Sequence, residues 1–566
     1  MFESQERPWF ASYPPGLPHE IEVGPYQSIP DLIAATCKRH AGRVAFSNMG
    51  QSLTFTEVDE LSTQVASFFR HELGLQSGER IVLMMPNLLQ YPVAFFGALK
   101  AGLIVVNINP LYTPHEMQKV FADSEPLAIV ALNTFADKVE QVLPSTTIRH
   151  VVLTSVGDLF STAKRFITNL GVKYVRKMVP AYHLPQAIEF RDVISRGKNL
   201  STDFPKIGRD DVALLQYTGG TTGGTKAAML SHGNILANQA QMIALMKSMF
   251  KEGEEVVIAA LPMYHVFCLT VNCLGLFCYG SHNVLITNPR DVPGFVKTLE
   301  ETRPTMMIVV STLASALLEN KEFRLLDFSR LKASVAGGMA LKTSVAQEWL
   351  RVTGTRVVEG YGLTEASPVV ACNPLGEANH LGTIGLPLPS TDLQIRDEDG
   401  QVVAPGETGE LMVFGPQVMQ GYWKQPEETA NVLGEDGWLR TGDLAVMDPD
   451  GYFRIVDRKK DMILVSGFNV FPNEIDDAVM LHPKVLEVAA IGIPDEHSGE
   501  VVKIFVVKRD PSLTEDELKA HCRTELAAYK CPKVIEFCDE LPKSNVGKVL
   551  RRTLREREAK ASPPPQ

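Results

Sequence analysis

The sequence predicts an α/β fold: a large N-terminal body of α/β subdomains plus a small β unit, then a small α+β C-terminal domain. Three observations carry that prediction. The chain has 566 residues, more than one unit at roughly 100–200 residues per domain. Short apolar runs rich in β-branched residues alternate with amphipathic stretches along most of it. The spacing of turns changes twice, near Thr383 and again after Lys460.

In chain order, RIVLMM (80–85), LIVVN (103–107), AIVAL (128–132), HVVL (150–153), VALLQY (212–217), VVIAAL (256–261) and MMIVV (306–310) read as strands. They lack the in-and-out alternation of a one-faced sheet, as expected of parallel strands covered by helices on both sides. From Thr383 onward, close Gly, Pro and Asp turns between short strands predict a small antiparallel β unit. Beyond DRKKDM (457–462) the strands VLEVAAIGI and VVKIFVVK mix with helices. One helix is predicted from about Glu515: Thr514 and Glu517 stand in capping-box register, with Leu518, Cys522, Leu526 and Tyr529 on one face. The expected division is a body over 1–457 (its β unit about 383–457), a hinge at 458–461 and a C-terminal domain over 462–566.

Composition narrows the function. With 55 Lys+Arg against 66 Asp+Glu, the formal net charge is −11, which argues against a nucleic-acid binder. Any polyanionic ligand must then be held by a few placed cations and backbone N–H groups. Cys37, Cys268, Cys273, Cys278, Cys372, Cys522, Cys531 and Cys538 form no C-x-x-C pair, so neither a zinc site nor a redox pair is encoded. They read as buried free thiols in a reducing compartment. The N-terminus lacks a basic region followed by an apolar stretch, and the most apolar run, Val256 to Tyr279, is interrupted by Pro262, Tyr264, His265 and Asn272. A cytoplasmic location is expected.

Four segments offer chemistry. YTGGTTGGTKAAMLSH, Tyr217 to His232, follows a predicted strand and supplies clustered N–H groups, hydroxyls and one lysine, as phosphate oxygens require. It fails the strict Walker pattern, because Thr225 separates Gly224 from Lys226 and Ala227 follows the lysine. YGLTEASP (361–368) puts an aromatic ring, a hydroxyl and a carboxylate within five residues, a set able to stack on a base, bond a phosphate and hold Mg²⁺. Asp443 lies in a T-G-D turn where a carboxylate can accept from a ribose diol, and Arg458, Lys459 and Lys460 follow as a positive cluster. PKSNVGKVLRR (542–552) places Lys548 after a glycine. Taken singly, each has a plain structural reading: a flexible strand-to-helix turn, a polar βα turn, a solvated charge run and a surface lysine.

Their order is what discriminates. The phosphate loop, PMYHVF (262–267), SVAGGMA (334–340), YGLTE, the T-G-D block, RKKD and NVGKVLRR occur in the order of the ANL superfamily of adenylate-forming enzymes. The sequence resembles that superfamily over essentially its whole length, and within it the bacterial long-chain fatty acyl-CoA synthetases. Asp436–Lys460 looks like the extended motif of fatty acyl-CoA synthetases, and NPLYTPHEM (109–117) and MVPAYHLPQ (178–186) also look like this subgroup. Thr225 stands where the family usually has Pro or Ala, and Ala227 where it usually has Gly.

The resemblance implies ATP-dependent activation of a long-chain fatty acid to an acyl-adenylate and then to fatty acyl-CoA, releasing pyrophosphate and AMP, in fatty acid uptake and β-oxidation. ATP, Mg²⁺ and coenzyme A (as substrate) are the expected small molecules. Lys548 would bridge the attacking carboxylate and the α-phosphate, Thr364 would contact that phosphate, and Glu365 with Thr221 would hold Mg²⁺. The loop Tyr217, Thr218, Gly219, Gly220, Thr221, Thr222, Gly223, Gly224, Thr225 and Lys226 would carry the β- and γ-phosphates. Gly337, Gly338, Tyr361 and Gly362 would frame the adenine, and Asp443 with Arg458 the ribose. The C-terminal domain would then rotate about Lys460, withdrawing Lys548 and opening a thiol path beside Gly467. His265 would position substrate rather than transfer protons.

One stretch lies outside this scheme. From Leu159 to Phe190 only Glu189 is acidic, while Lys164, Arg165, Lys173, Arg176 and Lys177 interleave with Phe166, Ile167, Leu170, Val172, Tyr174 and Val175. Residues 159–188 are thus a candidate peripheral contact with the cytoplasmic face of a bacterial inner membrane, the alternative being a solvated helix. The oligomeric state is left open, a homodimer being one possibility. Three rival activities remain: a fatty acyl-AMP ligase serving a carrier protein, a medium-chain or aryl acid–CoA ligase, and a non-catalytic acyl or nucleotide sensor. The chain ends soon after Lys548, which favours free CoA over an appended carrier, and Lys226, Glu365 and Lys548 are all present, against the sensor.

Overall fold

The computed structural model describes residues 7–218, 225–339, 341–495, 497–544 and 547–561. Among them the α/β prediction holds. A seven-stranded sheet runs in the order Ile188–Glu189, His150–Thr154, Ala128–Leu132, Arg80–Met84, Ile104–Asn107, Val212–Thr218 and Lys226–Ser231. Its pairings are parallel except the last, which is antiparallel. A nine-stranded sheet is parallel through its centre (Val357–Gly362, Ala333–Ala336, Met306–Val309, Val256–Ala259, His282–Leu285, Val44–Asn48) and antiparallel at both edges. The seven apolar runs read as strands between residues 80 and 310 lie in these two sheets. Their side chains are almost all buried, for example Ala128–Leu132 throughout, which explains the missing alternation.

The predicted β unit is a four-stranded antiparallel meander, Asp392–Arg396, Gly409–Phe414, Leu439–Met447 and Phe453–Arg458. Its inner residues join the same hydrophobic core as the two larger sheets, a core that runs from Trp9 to Phe453. Beyond it, Ile463–Val465, Phe468–Val470, Gly499–Lys508, Val485–Asp495 and Val534–Phe537 form a sheet of their own. Helices Pro472–Met480 and Glu515–Glu525 cover one face around Ile475, Val479, Leu518 and Cys522, and Leu554 packs on the other.

The helix Glu515–Glu525 differs from expectation at its end. Thr514 caps it by accepting from the Glu517 N–H, and Leu518 and Cys522 are buried, but the helix stops at Glu525. Tyr529 falls in a following 3-10 turn, 39% exposed, so it does not extend the apolar face. All eight cysteines are free; Cys37, Cys268, Cys273, Cys278 and Cys522 are buried. Among the described residues no helix is long and apolar enough to cross a membrane.

Candidate active site

The strand Val212–Thr218 turns back as Lys226–Ser231, and Thr218 pairs with Lys226 across the ladder. Lys226 therefore opens an antiparallel strand rather than a helix. The helix His232–Lys247 begins only after the second strand, so no helix N-terminus follows the lysine. Gly219, Gly220, Thr221, Thr222, Gly223 and Gly224 lie outside the described residues. Thr225 is held at its carbonyl by the Gln425 amide at 3.2 Å. The Tyr217 hydroxyl donates to Asp123 at 2.6 Å, pinning the strand end to the body. Lys226 pairs with Glu428 at 2.5 Å and sits 5.2 Å over the Tyr422 ring. An incoming polyphosphate would compete with Glu428 for this ammonium.

Strand pairing also brings Asp443 and Arg458 together. They are register partners in the antiparallel meander, and the Arg458 Nε lies 3.2 Å from Asp443 Oδ1. The other carboxylate oxygen accepts from the Tyr361 hydroxyl at 2.6 Å. Two of the roughly four lone-pair positions are thus used to orient Asp443, leaving two for a ligand diol. Tyr361 ends the strand Val357–Gly362, and Thr364–Ala366 follows as a single 3-10 turn. Glu365 on that turn accepts from the Tyr422 hydroxyl at 2.8 Å through Oε1. Gly337 leaves the neighbouring strand where a Cβ would stand 3.0 Å from the Phe267 ring and 3.3 Å from the Gly360 carbonyl oxygen. A side chain there would press on the Phe267 ring, so glycine suits this close approach.

Lys548 reaches this cluster from the C-terminal sheet's side. Gly547, at φ +81°, carries the turn over the helix Ser311–Glu319, and a Cβ there would stand 2.4 Å from Thr312 Oγ1. Burial and then the Arg458 guanidinium pull the Lys548 pKa down to about 8, while Asp443 and Asp461 oppose them and Lys460 adds to the depression. Asn473 fastens the two parts beside it. Its N–H donates to buried Asp457 at 2.8 Å, and its side-chain oxygen accepts from Arg551 at 2.7 Å. Arg551 also donates to Asp476 at 2.6 Å, and Asp461, next to Lys460, pairs with Arg555.

Most of these groups line one cavity of about 1340 Å³, with Asp123, Thr225, Gln425 and Glu428 outside its lining. Tyr217, Thr218, Lys226, His265, Gly337, Gly338, Tyr361, Gly362, Thr364, Glu365, Asp443, Arg458, Lys460 and Lys548 all face it. Gly467 does not: it turns the hairpin between Ile463–Val465 and Phe468–Val470 at φ +84°. His265 caps the turn after it, its Nδ1 accepting from the Phe267 N–H at 3.3 Å, and burial lowers its pKa to about 4. A neutral ring committed to a backbone N–H suits positioning, not proton transfer. Met242, Leu245, Met246 and Met249 from one stretch of chain and Val271 and Leu276 from another give the cavity's lining an apolar arm.

Some participants carry no local sequence signal. Tyr422 and Glu428, which hold Glu365 and Lys226, are 57 and 202 residues from their partners. Asp457 and Arg551 stand inside quoted motifs, but nothing in their spacing says that Asn473 joins them. Among the described residues no three His, Cys, Asp or Glu side chains converge as a metal cage. Glu365 offers one carboxylate, with Oε2 left by Tyr422, which fits a Mg²⁺ held mainly by phosphates and water.

Comparison with known proteins agrees with this layout. The family described as AMP-binding enzyme matches residues 33–423, and the AMP-binding enzyme C-terminal domain matches residues 474–548. A long-chain-fatty-acid–CoA ligase of Escherichia coli O157:H7 is 53% identical, over 97% of this chain and 98% of that protein. Among solved structures, the anthranilate CoA ligase AuaEII in complex with anthranoyl-AMP superposes with a TM-score of 0.83 at 26% identity, over 95% of this chain and 98% of that one. ATP-bound MatB from Rhodopseudomonas palustris gives 0.81 at 27% identity, over 94% and 99%.

Proposed function

The chain belongs to the AMP-binding enzyme family, and from that premise we propose that it is a long-chain fatty acid–CoA ligase working through an acyl-adenylate. The observation that carries this reading is the single cavity, in which a cluster of phosphate-type and ribose-type groups opens into an apolar arm. The relative at 53% identity, named a long-chain-fatty-acid–CoA ligase, supports the acid class.

In the first half-reaction the fatty acid carboxylate attacks the α-phosphorus of ATP; a C–O–P bond forms and the bond to the β-phosphate oxygen breaks. Both reactants are anions, so the step needs positive charge at the transferring phosphoryl group. Lys548 supplies it from the C-terminal side, and Thr364 donates to the same phosphate. Lys226 and the Gly/Thr-rich segment before it hold the departing pyrophosphate. Asp443, held by Tyr361 and Arg458, binds the ribose, and Gly337 and Gly338 leave room for the adenine. Mg²⁺, when bound at Glu365, neutralises phosphate charge. In the second half-reaction the C-terminal domain turns about Lys460 and carries Lys548 away. The CoA thiolate then attacks the acyl carbonyl, a C–S bond forms, and AMP leaves with the electron pair of the broken C–O bond.

The depressed Lys548 pKa gives a test with a definite sign. The step needs the ammonium, which is present below about 8 and lost above it. Adenylation kcat/KM is therefore expected to fall as pH rises through about 8. In a Lys548→Arg variant the charge persists, so the descent should shift upward in pH. The activity itself is tested by pyrophosphate release across medium-chain, long-chain and aryl acids, with and without CoA. Long-chain acids should be used best; preference for an aryl acid would overturn the reading.

The membrane contact belongs to the same proposal. The helix Thr162–Leu170 and the turn Gly171–Val175 contain no buried residue. Phe166, Ile167, Tyr174 and Val175 are 64%, 74%, 62% and 81% exposed, beside Arg165, Lys173, Arg176 and Lys177. Such a surface suits an anionic bilayer, at about 1 kcal/mol per basic residue. Reversing the charge of Lys173, Arg176 and Lys177 is expected to weaken co-sedimentation with anionic vesicles by at least about tenfold. Equal binding by both proteins would remove this contact from the account.

A further inference from the structure

The apolar arm has a feature that bears on which acyl chains it accepts. Leu269–Leu276 is a π-helical segment, a geometry uncommon in soluble proteins and frequent at functional sites. Its Val271 and Leu276 form part of the cavity wall. Within it Gly275 touches the neighbouring wall so closely that a Cβ would stand 2.5 Å from Met242 Cε, 3.1 Å from Gln239 Oε1 and 3.2 Å from the Thr270 carbonyl oxygen. Met242 lines the cavity with Leu245, Met246 and Met249, spaced as one face of the helix His232–Lys247 and its extension.

The three contacts differ in what they can yield. The Thr270 carbonyl is backbone, and Gln239, 1% exposed, is tied to it through a bond from its amide at 3.2 Å. The Met242 methyl is the far end of an unbranched thioether with free rotations. It lies close to Gly275, and Met242 is itself among the residues that line the cavity. A side chain at 275 therefore has one cheap accommodation, which is to swing the Met242 methyl into the arm.

We propose that Gly275 is a specificity-positioning residue: by having no side chain it lets Met242 lie back against the π segment, and so keeps the acyl arm open for long chains. The inference rests on the ligase reading above and deepens it. Gly275 acts through Met242 and does not touch the reacting atoms.

The test is the chain-length profile of pyrophosphate release by the full-length protein, for saturated acids from medium to long. For Gly275→Ala, the kcat/KM ratio of the longest to the shortest accepted acid should fall by at least about tenfold, the scale of one or two misfitted methylenes. Adding Met242→Ala should restore the ratio, because the displaced methyl is gone. Met242→Ala alone should move the profile towards longer acids, and it decides the matter if Gly275→Ala does not fold. A uniform loss across lengths in Gly275→Ala, or no shift in Met242→Ala, overturns the proposal. Wild-type protein that activates no fatty acid would instead overturn the ligase reading, so the two failures are distinct.

Discussion

Lys548→Ala is expected to lose pyrophosphate release by at least roughly a hundredfold, the scale of removing one preorganised charge from a transferring group. The same variant should still convert pre-made acyl-adenylate and CoA into thioester. The split follows from placement. Lys548 sits on a turn that Gly547 lets pass over Thr312, facing Arg458 and Asp443 in the cavity. It belongs to the C-terminal part, while Lys226, Tyr361 and Glu365 belong to the body. If that part turns away for the second step, the lysine has no duty there. Parallel assays of the two half-reactions check this. Loss of both would show that Lys548 supports the fold or both steps, and persistence of adenylation would remove it from the chemistry.

Lys460→Pro is expected to give the opposite pattern, with adenylation kept within about tenfold and thioester formation lost. Lys459–Asp461 is a 3-10 turn in this structure, and proline's fixed φ is close to the 3-10 value. The substitution therefore suits the arrangement seen here and opposes any other that requires a different φ. The ties that define this arrangement lie close by: Asp457 with Asn473, Asn473 with Arg551, and Asp461 with Arg555. Turning the C-terminal part requires the first of these to break, since Asp457 lies in the last strand of the meander and Asn473 in the first turn of the first C-terminal helix. Equal loss of both half-reactions would indicate damaged folding instead of a fixed hinge. Thermal melting would separate those outcomes.

How much of this was legible depended on whether the relevant contact was local. The apolar runs read as parallel strands lie in the two large sheets, because strands buried on both faces need no alternation, and that pattern is visible in a single run. The Gly/Thr-rich segment stands out in the sequence by composition, but the pairing of Lys226–Ser231 back onto Val212–Thr218 is a tertiary fact that composition does not carry. Asp443 and Arg458 were each singled out, yet their ion pair comes from an antiparallel register across the turn between their strands. The Tyr361–Asp443 bond spans 82 residues and no spacing predicts it. Tyr529 was misplaced because helical spacing continues in the sequence past Glu525, where the chain leaves the helix. For residues 162–175 the basic, amphipathic pattern was plain, but whether the body covers its apolar face is a tertiary fact, and the structure leaves that face open.

The central claim is that one cavity activates a long-chain fatty acid and then hands it to CoA. Its most direct test is the stoichiometry of products from ATP and a long-chain acid, measured with and without CoA. The account predicts that with CoA, pyrophosphate, AMP and acyl-CoA appear in equal amounts over many turnovers, whereas without CoA pyrophosphate release stops near one equivalent per enzyme as the acyl-adenylate is retained. Pyrophosphate release that CoA leaves unaltered, with no thioester formed, would contradict it.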